Sequence, residues 1–443
     1  MSGIAGIFAP GGQDVVEGML DRMAHRGPAG RKIIETEGAT LGIAWTGLQE
    51  TSATVLEQEQ ILRDEAGSEH CAEVKISGGH PSLMRDPLGV APLYYGTNSE
   101  GVLGFASEVK ALAEFTPNVS ELPPGYRFDG NRLDLYFQLK EKPPVDDPVE
   151  VIIEELYRRL AAAVEKRING DMMGSWLSGG LDSSTLAALA RPHVRILHTF
   201  AAGLAGAPDL EFAREVAAFI DSQHHEVVLT LDSMLEVLPK VIYHLESFDA
   251  LLVRSSITNY MAAKLASDYV AEVFSGEGGD ELFAGYEYLK ALDPAMLPGE
   301  LIDITGRLHN TALQRVDRSA AAHGTVAHVA FLDPDVVEYA HRIPVKYKIR
   351  DGVEKWILRR AIEGKLPDRV LNRTKAKFWE GAGVKEHLAQ YAEGHITSDD
   401  FNRERTLKNG WLLDSKEELM YYRIFKEYFG NLENLSWMGR TKK

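Results

Sequence analysis

Apolar residues recur in two rhythms along this chain, and the change of rhythm divides it. Up to Asp129, short segments of strand character follow one another between turns: Gly3–Phe8, Thr40–Trp45 and Val102–Ala106. Short strands closely punctuated by turns predict a mostly antiparallel, layered fold. A polar, proline-bearing stretch follows, Lys140-Glu141-Lys142-Pro143-Pro144-Val145-Asp146-Asp147-Pro148, and reads as a connector. Helical periodicity takes over in Ile152–Ile168. Strand-like and helix-like segments then alternate: Met172–Leu177, an Ala/Leu-rich helix, Val194–Ala202, Asp209–Ile220, His225–Leu229, a long helical region, and Val270–Phe274. That alternation predicts a parallel sheet with right-handed crossovers. From Pro294 onward the pattern is largely helical. The expected organisation is therefore a first domain over residues 1–135 and a second over 146–443.

Composition narrows the class. A hydrophobic content of 44% over 443 residues is ample for two or three packed cores. The formal net charge of −17 argues against a nucleic-acid partner held through phosphates. A single cysteine, Cys71, excludes an intramolecular disulfide and a cysteine-based zinc site. The chain shows neither a secretory leader pattern nor an apolar run of membrane-span length, so a cytoplasmic protein without membrane contact is the expectation.

Two glycine-rich turns carry the candidate chemistry. The first is Ser178-Gly179-Gly180-Leu181-Asp182-Ser183-Ser184, placed between the strand-like Met172–Leu177 and a helix start. Its glycines let backbone N–H groups approach an anion, its hydroxyls add donors, and the helix N-terminus adds partial positive charge. The lysine of the mononucleotide P-loop is missing, so a kinase or Walker-type ATPase is not indicated. Asp182 at the phosphate end calls for a metal, and Mg2+ takes one or two carboxylates together with phosphate oxygens. The second turn is Ser275-Gly276-Glu277-Gly278-Gly279-Asp280-Glu281-Leu282-Phe283-Ala284-Gly285-Tyr286, again following a strand-like run. Ligands of open α/β sheets bind beyond the carboxyl ends of strands. Both turns are thus expected to face one ATP, with Asp182 and Asp280 as the Mg2+ pair and Glu277 as a base or substrate-orienting group.

Together the two turns make the chain similar to the synthetase domain of asparagine synthetase B-type amide ligases, which are PP-loop ATP pyrophosphatases. Further segments follow that family in order: Thr199–Leu204, Pro208-Asp209-Leu210, His224-His225-Glu226, Asp249 with Arg254-Ser255-Ser256, Phe331-Leu332-Asp333, Glu354–Arg359, Arg373–Phe378 and Lys416–Arg423. The resemblance implies an N-terminal Ntn-hydrolase-like sandwich, then a doubly wound parallel-sheet PP-loop domain with a mostly helical C-terminal part: an α/β and α+β chain. It implies that Leu177, Ala202, Ser275 and Gly276 line adenosine and the α-phosphate. Ser178, Gly179, Gly180, Asp182, Ser183 and Ser184 would hold pyrophosphate and metal. Glu277, Lys375 and Arg254 would serve the reacting centre.

The first domain resembles the glutaminase half of the same family in degenerate form. His25-Arg26-Gly27-Pro28, Arg85–Gly89 and Ser107–Lys110 keep the scaffold. The nucleophilic cysteine expected at position 2 is Ser2, an arginine-bearing segment reads Leu41-Gly42-Ile43-Ala44-Trp45-Thr46, and Ala29 replaces an aspartate. An N-terminal hydroxyl is a poorer nucleophile than a thiolate, and the glutamine clamp is missing as well. The domain is read as a non-catalytic scaffold.

The resemblance therefore implies an ATP-dependent ligase that activates a small carboxylic acid, aspartate or a relative, as an acyl-adenylate. Ammonia or another amine then takes the acyl group, and a separate glutaminase is one source of it. Leu251-Leu252 and the segment Val326–Asp333, which lacks a Glu and an Arg of the family pattern, depart from the family and leave the acid open. Two alternatives stand beside this reading: an intramolecular amide or lactam synthetase using a substrate amine, and a non-catalytic nucleotide-binding regulator. A homodimer is the family expectation.

Overall fold

The computed structural model describes residues 2–46, 53–55, 59–65, 69–77, 80–374, 382 and 385–441. The N-terminal part contains two antiparallel sheets of six strands each. The first runs Ser120–Glu121, Tyr94–Thr97, Leu103–Ala106, Gly3–Ile7, Thr40–Trp45, Gly30–Glu35. The second runs Leu133–Leu135, Tyr126–Phe128, His80–Arg85, Cys71–Ser77, Glu59–Glu65, Ala53–Val55. Ile4, Leu41 and Phe105 of the first share one buried cluster with Leu62, Val74 and Leu83 of the second. Ala5 and Ile7 face the other way, onto Val16, Met19 and Leu20 of the helix Gln13–Arg22. The strand Gly3–Ile7 is thus buried on both faces, which is why it reads as a continuous apolar run.

Residues 136–148 carry no helix or strand. They are tied down even so: the Tyr136 hydroxyl donates to the Arg85 carbonyl at 2.6 Å, and the Val145 N–H donates to the Arg342 carbonyl at 2.9 Å.

Beyond them lies a five-stranded parallel sheet ordered Gln223–Leu229, Ile196–Leu204, Met172–Trp176, Glu272–Phe274, Val326–His328. In chain order this is 3-2-1-4-5, so the direction of winding reverses between Met172–Trp176 and Glu272–Phe274. The helices Leu181–Ala190, Pro208–Phe219, Leu231–Leu245 and Ala250–Ser267 connect the strands. Thr230 starts one with a reciprocal capping box to Ser233, and the Asp249 carboxylate starts the next by accepting the Leu252 N–H at 2.9 Å. The strand Val326–His328 falls inside the region whose pattern is helical. Three residues are too few to display a period of two, and the neighbouring strand's backbone supplies the pairing instead. No described helix is long and apolar enough to cross a membrane.

Candidate functional site

The two glycine-rich turns leave adjacent strands at the point where the sheet reverses its winding, the place where α/β sheets open a crevice. Leu177 ends the first strand with its N–H donated to the Phe200 carbonyl at 2.8 Å, and Ser275 ends the other with its N–H donated to the His328 carbonyl at 2.9 Å. The side chains that follow are therefore released from the sheet together. Gly179 has φ +67, a left-handed backbone, and a Cβ there would lie 2.5 Å from the Ala213 nitrogen. A Cβ on Gly276 would lie 2.7 Å from the Ser183 nitrogen, and one on Gly279 would lie 2.4 Å from Asp182 Oδ1. Gly276 and Gly279 thus let the two turns touch, and Gly179 lets the first turn lie against the helix Pro208–Phe219.

The turns form a cradle lined by backbone and hydroxyls. Ser183 Oγ meets the Ser178 hydroxyl at 3.1 Å and the Ser178 N–H at 3.2 Å. The Ser184 side chain is fully buried, and its Oγ has no hydrogen-bond partner among the described residues. An orphaned buried hydroxyl at the first turn of a helix fits an anion such as a phosphate, which would satisfy it. Ala202 lies near the end of the neighbouring strand Ile196–Leu204.

Asp182 and Asp280 are brought together, one from each turn. The ammonium of Lys355 stands between them, 2.5 Å from Asp182 Oδ2 and 2.6 Å from Asp280 Oδ1. Two facing carboxylates bridged by a cation match what Mg2+ requires of a protein when phosphate supplies the remaining ligands. Lys355 itself is 2% exposed and holds φ +53, a conformation that costs a non-glycine residue on the order of 1–3 kcal/mol. It stands immediately before the helix Trp356–Ala361. Its neighbour Glu354 is bound to Arg359 at 2.6 Å and to Lys290 at 3.0 Å, which holds the turn in place. Arg359 also donates to the Arg373 carbonyl at 3.1 Å, and Arg373 in turn donates to the Ser178 carbonyl at 3.4 Å and to Asp209 at 2.5 Å. One continuous polar chain therefore joins the Lys355 turn to the phosphate cradle. The sequence pointed to the segment around Lys355 but gave that residue no role. The only local signal was its place in Glu354–Arg359.

Three carboxylates of the second turn meet different fates. Glu277, partly exposed, is ion-paired with Arg315. Glu281 is buried and accepts the Tyr286 hydroxyl. Burial, followed by repulsion from Asp280 and Glu277, pushes its carboxyl up to about 7. Arg254 on the helix Ala250–Ser267 forms a forked pair with Glu417 of the helix Lys416–Phe429, with Nε to Oε1 at 2.7 Å. The Tyr421 hydroxyl adds a bond to the same carboxylate at 2.7 Å. Arg254 thus has a carboxylate already in its fork. Lys375 lies outside the described residues.

In the N-terminal part, the Ser2 N–H and hydroxyl both donate to Asp64 Oδ1, at 2.9 and 3.1 Å, and the Ser107 hydroxyl donates to Oδ2 at 3.0 Å. Asp64 is fully buried. The would-be nucleophile is thus bonded through both its N–H and its hydroxyl to a buried carboxylate.

A family model described as asparagine synthase matches residues 155–303 and 296–438, and one described as a glutamine amidotransferase domain matches residues 76–165. The chain is 31% identical over 394 residues to a probable asparagine synthetase (glutamine-hydrolyzing) of Dictyostelium discoideum, covering 80% of this chain and 71% of that protein. It is 32% identical over 376 residues to asparagine synthetase (glutamine-hydrolyzing) 2 of Arabidopsis thaliana, covering 78% of this chain and 64% of that protein. Among solved structures, NMN synthetase from Francisella tularensis aligns over 67% of this chain and 99% of that chain, with 12% identity and a TM-score of 0.31.

Proposed function

Because the chain belongs to the asparagine synthase family of carbon–nitrogen ligases, we propose that it activates a small carboxylic acid with ATP and passes the acyl group to ammonia. Aspartate or a close relative is the acid. The observation that carries this reading is the meeting of Asp182 and Asp280 around one cation, at the mouth of a glycine cradle with an unsatisfied buried hydroxyl.

Leu177, Ala202, Ser275 and Gly276 face the adenosine and α-phosphate side of the crevice. Ser178, Gly179, Gly180, Ser183 and Ser184 take the pyrophosphate end through N–H and O–H donors. Asp182 and Asp280 hold Mg2+, which when bound offsets the charge of the departing pyrophosphate. The acid's carboxylate oxygen attacks the α-phosphorus, and the bond to pyrophosphate breaks. The amine nitrogen then attacks the acyl carbon, the bond to AMP breaks, and the nitrogen's proton passes to a base, the role proposed for Glu277. Lys355, between the two carboxylates when no metal is held there, contributes positive charge beside the transferring phosphoryl group, and by the resemblance Lys375 serves the same centre. Arg254, engaged by Glu417, acts by holding the C-terminal helix against the substrate side.

Ammonia rather than glutamine is favoured by the Ser2–Asp64 arrangement, in which the hydroxyl's neighbour is a buried acid. The test is release of AMP and pyrophosphate with ATP, Mg2+ and a panel of amino and dicarboxylic acids, supplied with ammonium or with glutamine. Product with ammonium and none with glutamine is expected. Glutamine-supported turnover abolished by Ser2→Ala would overturn the scaffold role of the first domain. AMP release without any added amine would favour an intramolecular synthetase.

A further inference from the structure

The helix Ala312–Ala321 is buried on every side, yet it carries Arg315, Asp317 and Arg318 in succession. Each of these charges has a partner on another segment of the chain. Arg315 pairs with Glu277 of the acidic turn. Asp317 accepts from Arg26 of the N-terminal part, and Arg318 reaches the Ser107 carbonyl at 3.3 Å and Glu246 at 2.9 Å. Arg26 is itself fully buried, donates to Glu108 at 2.6 Å and to the Ser2 carbonyl at 3.2 Å, and lies 4.0 Å from Asp64. Lys110 closes the network, 2.5 Å from Glu108 and 3.0 Å from Glu246.

Buried charges of this kind add little stability over apolar packing, but a charge left alone is costly. They therefore admit one register of the helix and penalise every other. A residue advances 100° around a helix, so Arg315 and Asp317 point roughly 200° apart. The same rigid turn is gripped by the N-terminal domain on one side and grips Glu277 on the other.

We propose that Arg26 is a positioning residue for the amide-forming site. Through Asp317 it fixes the helix Ala312–Ala321 in the one register that keeps Arg315 on Glu277, so the retired domain survives as the site's template. This rests on the proposed function only for the reaction that Glu277 serves; the geometry itself is independent of it.

Two measurements on the full chain test the proposal. Hydrogen exchange of the backbone over residues 275–283 reads the acidic turn without any substrate. Arg26→Lys keeps the buried charge but loses the forked geometry; it should raise exchange there by about tenfold, whereas unchanged exchange overturns the proposal. Ammonia-dependent AMP release supplies the second reading. Arg26→Lys and Asp317→Asn should each lower kcat about tenfold with the KM for ATP held within about twofold, since small misplacements act on the reacting geometry. In an Arg315→Gln background the same substitutions should cost less than about threefold more. A merely structural role would instead lower the amount of folded enzyme at constant kcat, or multiply independently of Arg315, and either result overturns the proposal. A wild-type chain that releases no AMP with any acid would sink the proposed function alone, leaving the exchange measurement to decide the positioning role.

Discussion

The crevice at the sheet's switch point and the pocket around Ser2 are built from the same materials, hydroxyls, carboxylates and basic side chains, and they use them in opposite ways. In the crevice, glycines bring two backbones into contact, and the fully buried Ser184 hydroxyl has no partner among the described residues. Around Ser2, the nucleophile's N–H and hydroxyl, Ser107 and Arg26 all converge on Asp64 or its neighbours. A site kept for a ligand leaves donors for that ligand to satisfy. Around Ser2 the donors are satisfied internally, and a buried polar group without a partner costs about 1–3 kcal/mol. Arg26 and Lys110 of the first domain are bonded to Asp317 and Glu246 beyond it.

The hardest blow to the crevice is removal of its metal-facing charge. Asp182→Asn or Asp280→Asn should reduce AMP release by about 10^2–10^3-fold, the range seen when a preorganised electrostatic group is lost. The two substitutions combined should cost far less than the product of the two, because both act through one cation. Steady-state AMP formation at saturating ATP checks this. Full activity in either variant would mean that the crevice is no more committed to catalysis than the Ser2 pocket is.

Next in size is the cradle itself. Gly179→Ala places a Cβ 2.5 Å from the Ala213 nitrogen at a left-handed φ, so the turn must open. A stability loss of about 1–3 kcal/mol is expected from strain and overpacking, with loss of ATP-dependent thermal stabilisation. Gly11→Ala is the contrasting case. Its φ is +71, but no atom lies within 4 Å of the added Cβ, so it carries the backbone strain alone and leaves ATP binding intact. Thermal melts with and without ATP separate the two.

How much of this was legible in the sequence depends on how far apart the partners lie. The two turns announced themselves, because strand, glycines and helix start are local signals, and Asp182 and Asp280, expected to lie together, meet around Lys355. Lys355 was not, because a lysine before a short helix has no signature until the fold sets it between two aspartates 173 and 75 residues away, counted from Asp182 and Asp280. Arg26–Asp317 spans 291 residues, and no periodicity can register such a pair. Arg254 was expected to serve the reacting centre, yet it shares its fork with Glu417, a contact 163 residues distant. In the first domain, the contact of Asp64 with Ser2, 62 residues away, was not readable, because it depends on how the strand Glu59–Glu65 is seated against the other sheet.

Glu281 offers a smaller, pH-dependent contrast with the pocket around Ser2. Its carboxyl is raised to about 7 from an ordinary 4.5, first by burial and then by Asp280. Below 4.5 both folded and unfolded chains hold the proton, and above 7 both have released it. Between them the folded state alone binds it, so stability falls as pH rises through that window. The loss should reach roughly 3 kcal/mol. Glu281→Gln, which keeps an acceptor for the Tyr286 hydroxyl, should flatten the slope between pH 5 and pH 8 in denaturant titrations. A slope unchanged by the substitution would assign the pH dependence to other groups.

Ser2→Ala should do least, and for that reason it separates the two regions most cleanly. The substitution removes one hydroxyl donor from Asp64, which retains the residue 2 N–H and the Ser107 hydroxyl. A net cost of about 0.5–1.5 kcal/mol in unfolding free energy is expected. The ammonia-supported rate should stay within about twofold, because Arg26 bonds Asp317 directly and bonds Ser2 at its backbone carbonyl, not at its side chain. Asp64→Asn, by contrast, should cost more than Ser2→Ala. It removes the charge facing Arg26 and puts an amide donor among donors, where Asp64 had accepted from all of them. If the order were reversed, with Ser2→Ala destroying turnover and Asp64→Asn sparing it, the pocket would be a working site whose hydroxyl, not whose scaffold, the chain has kept.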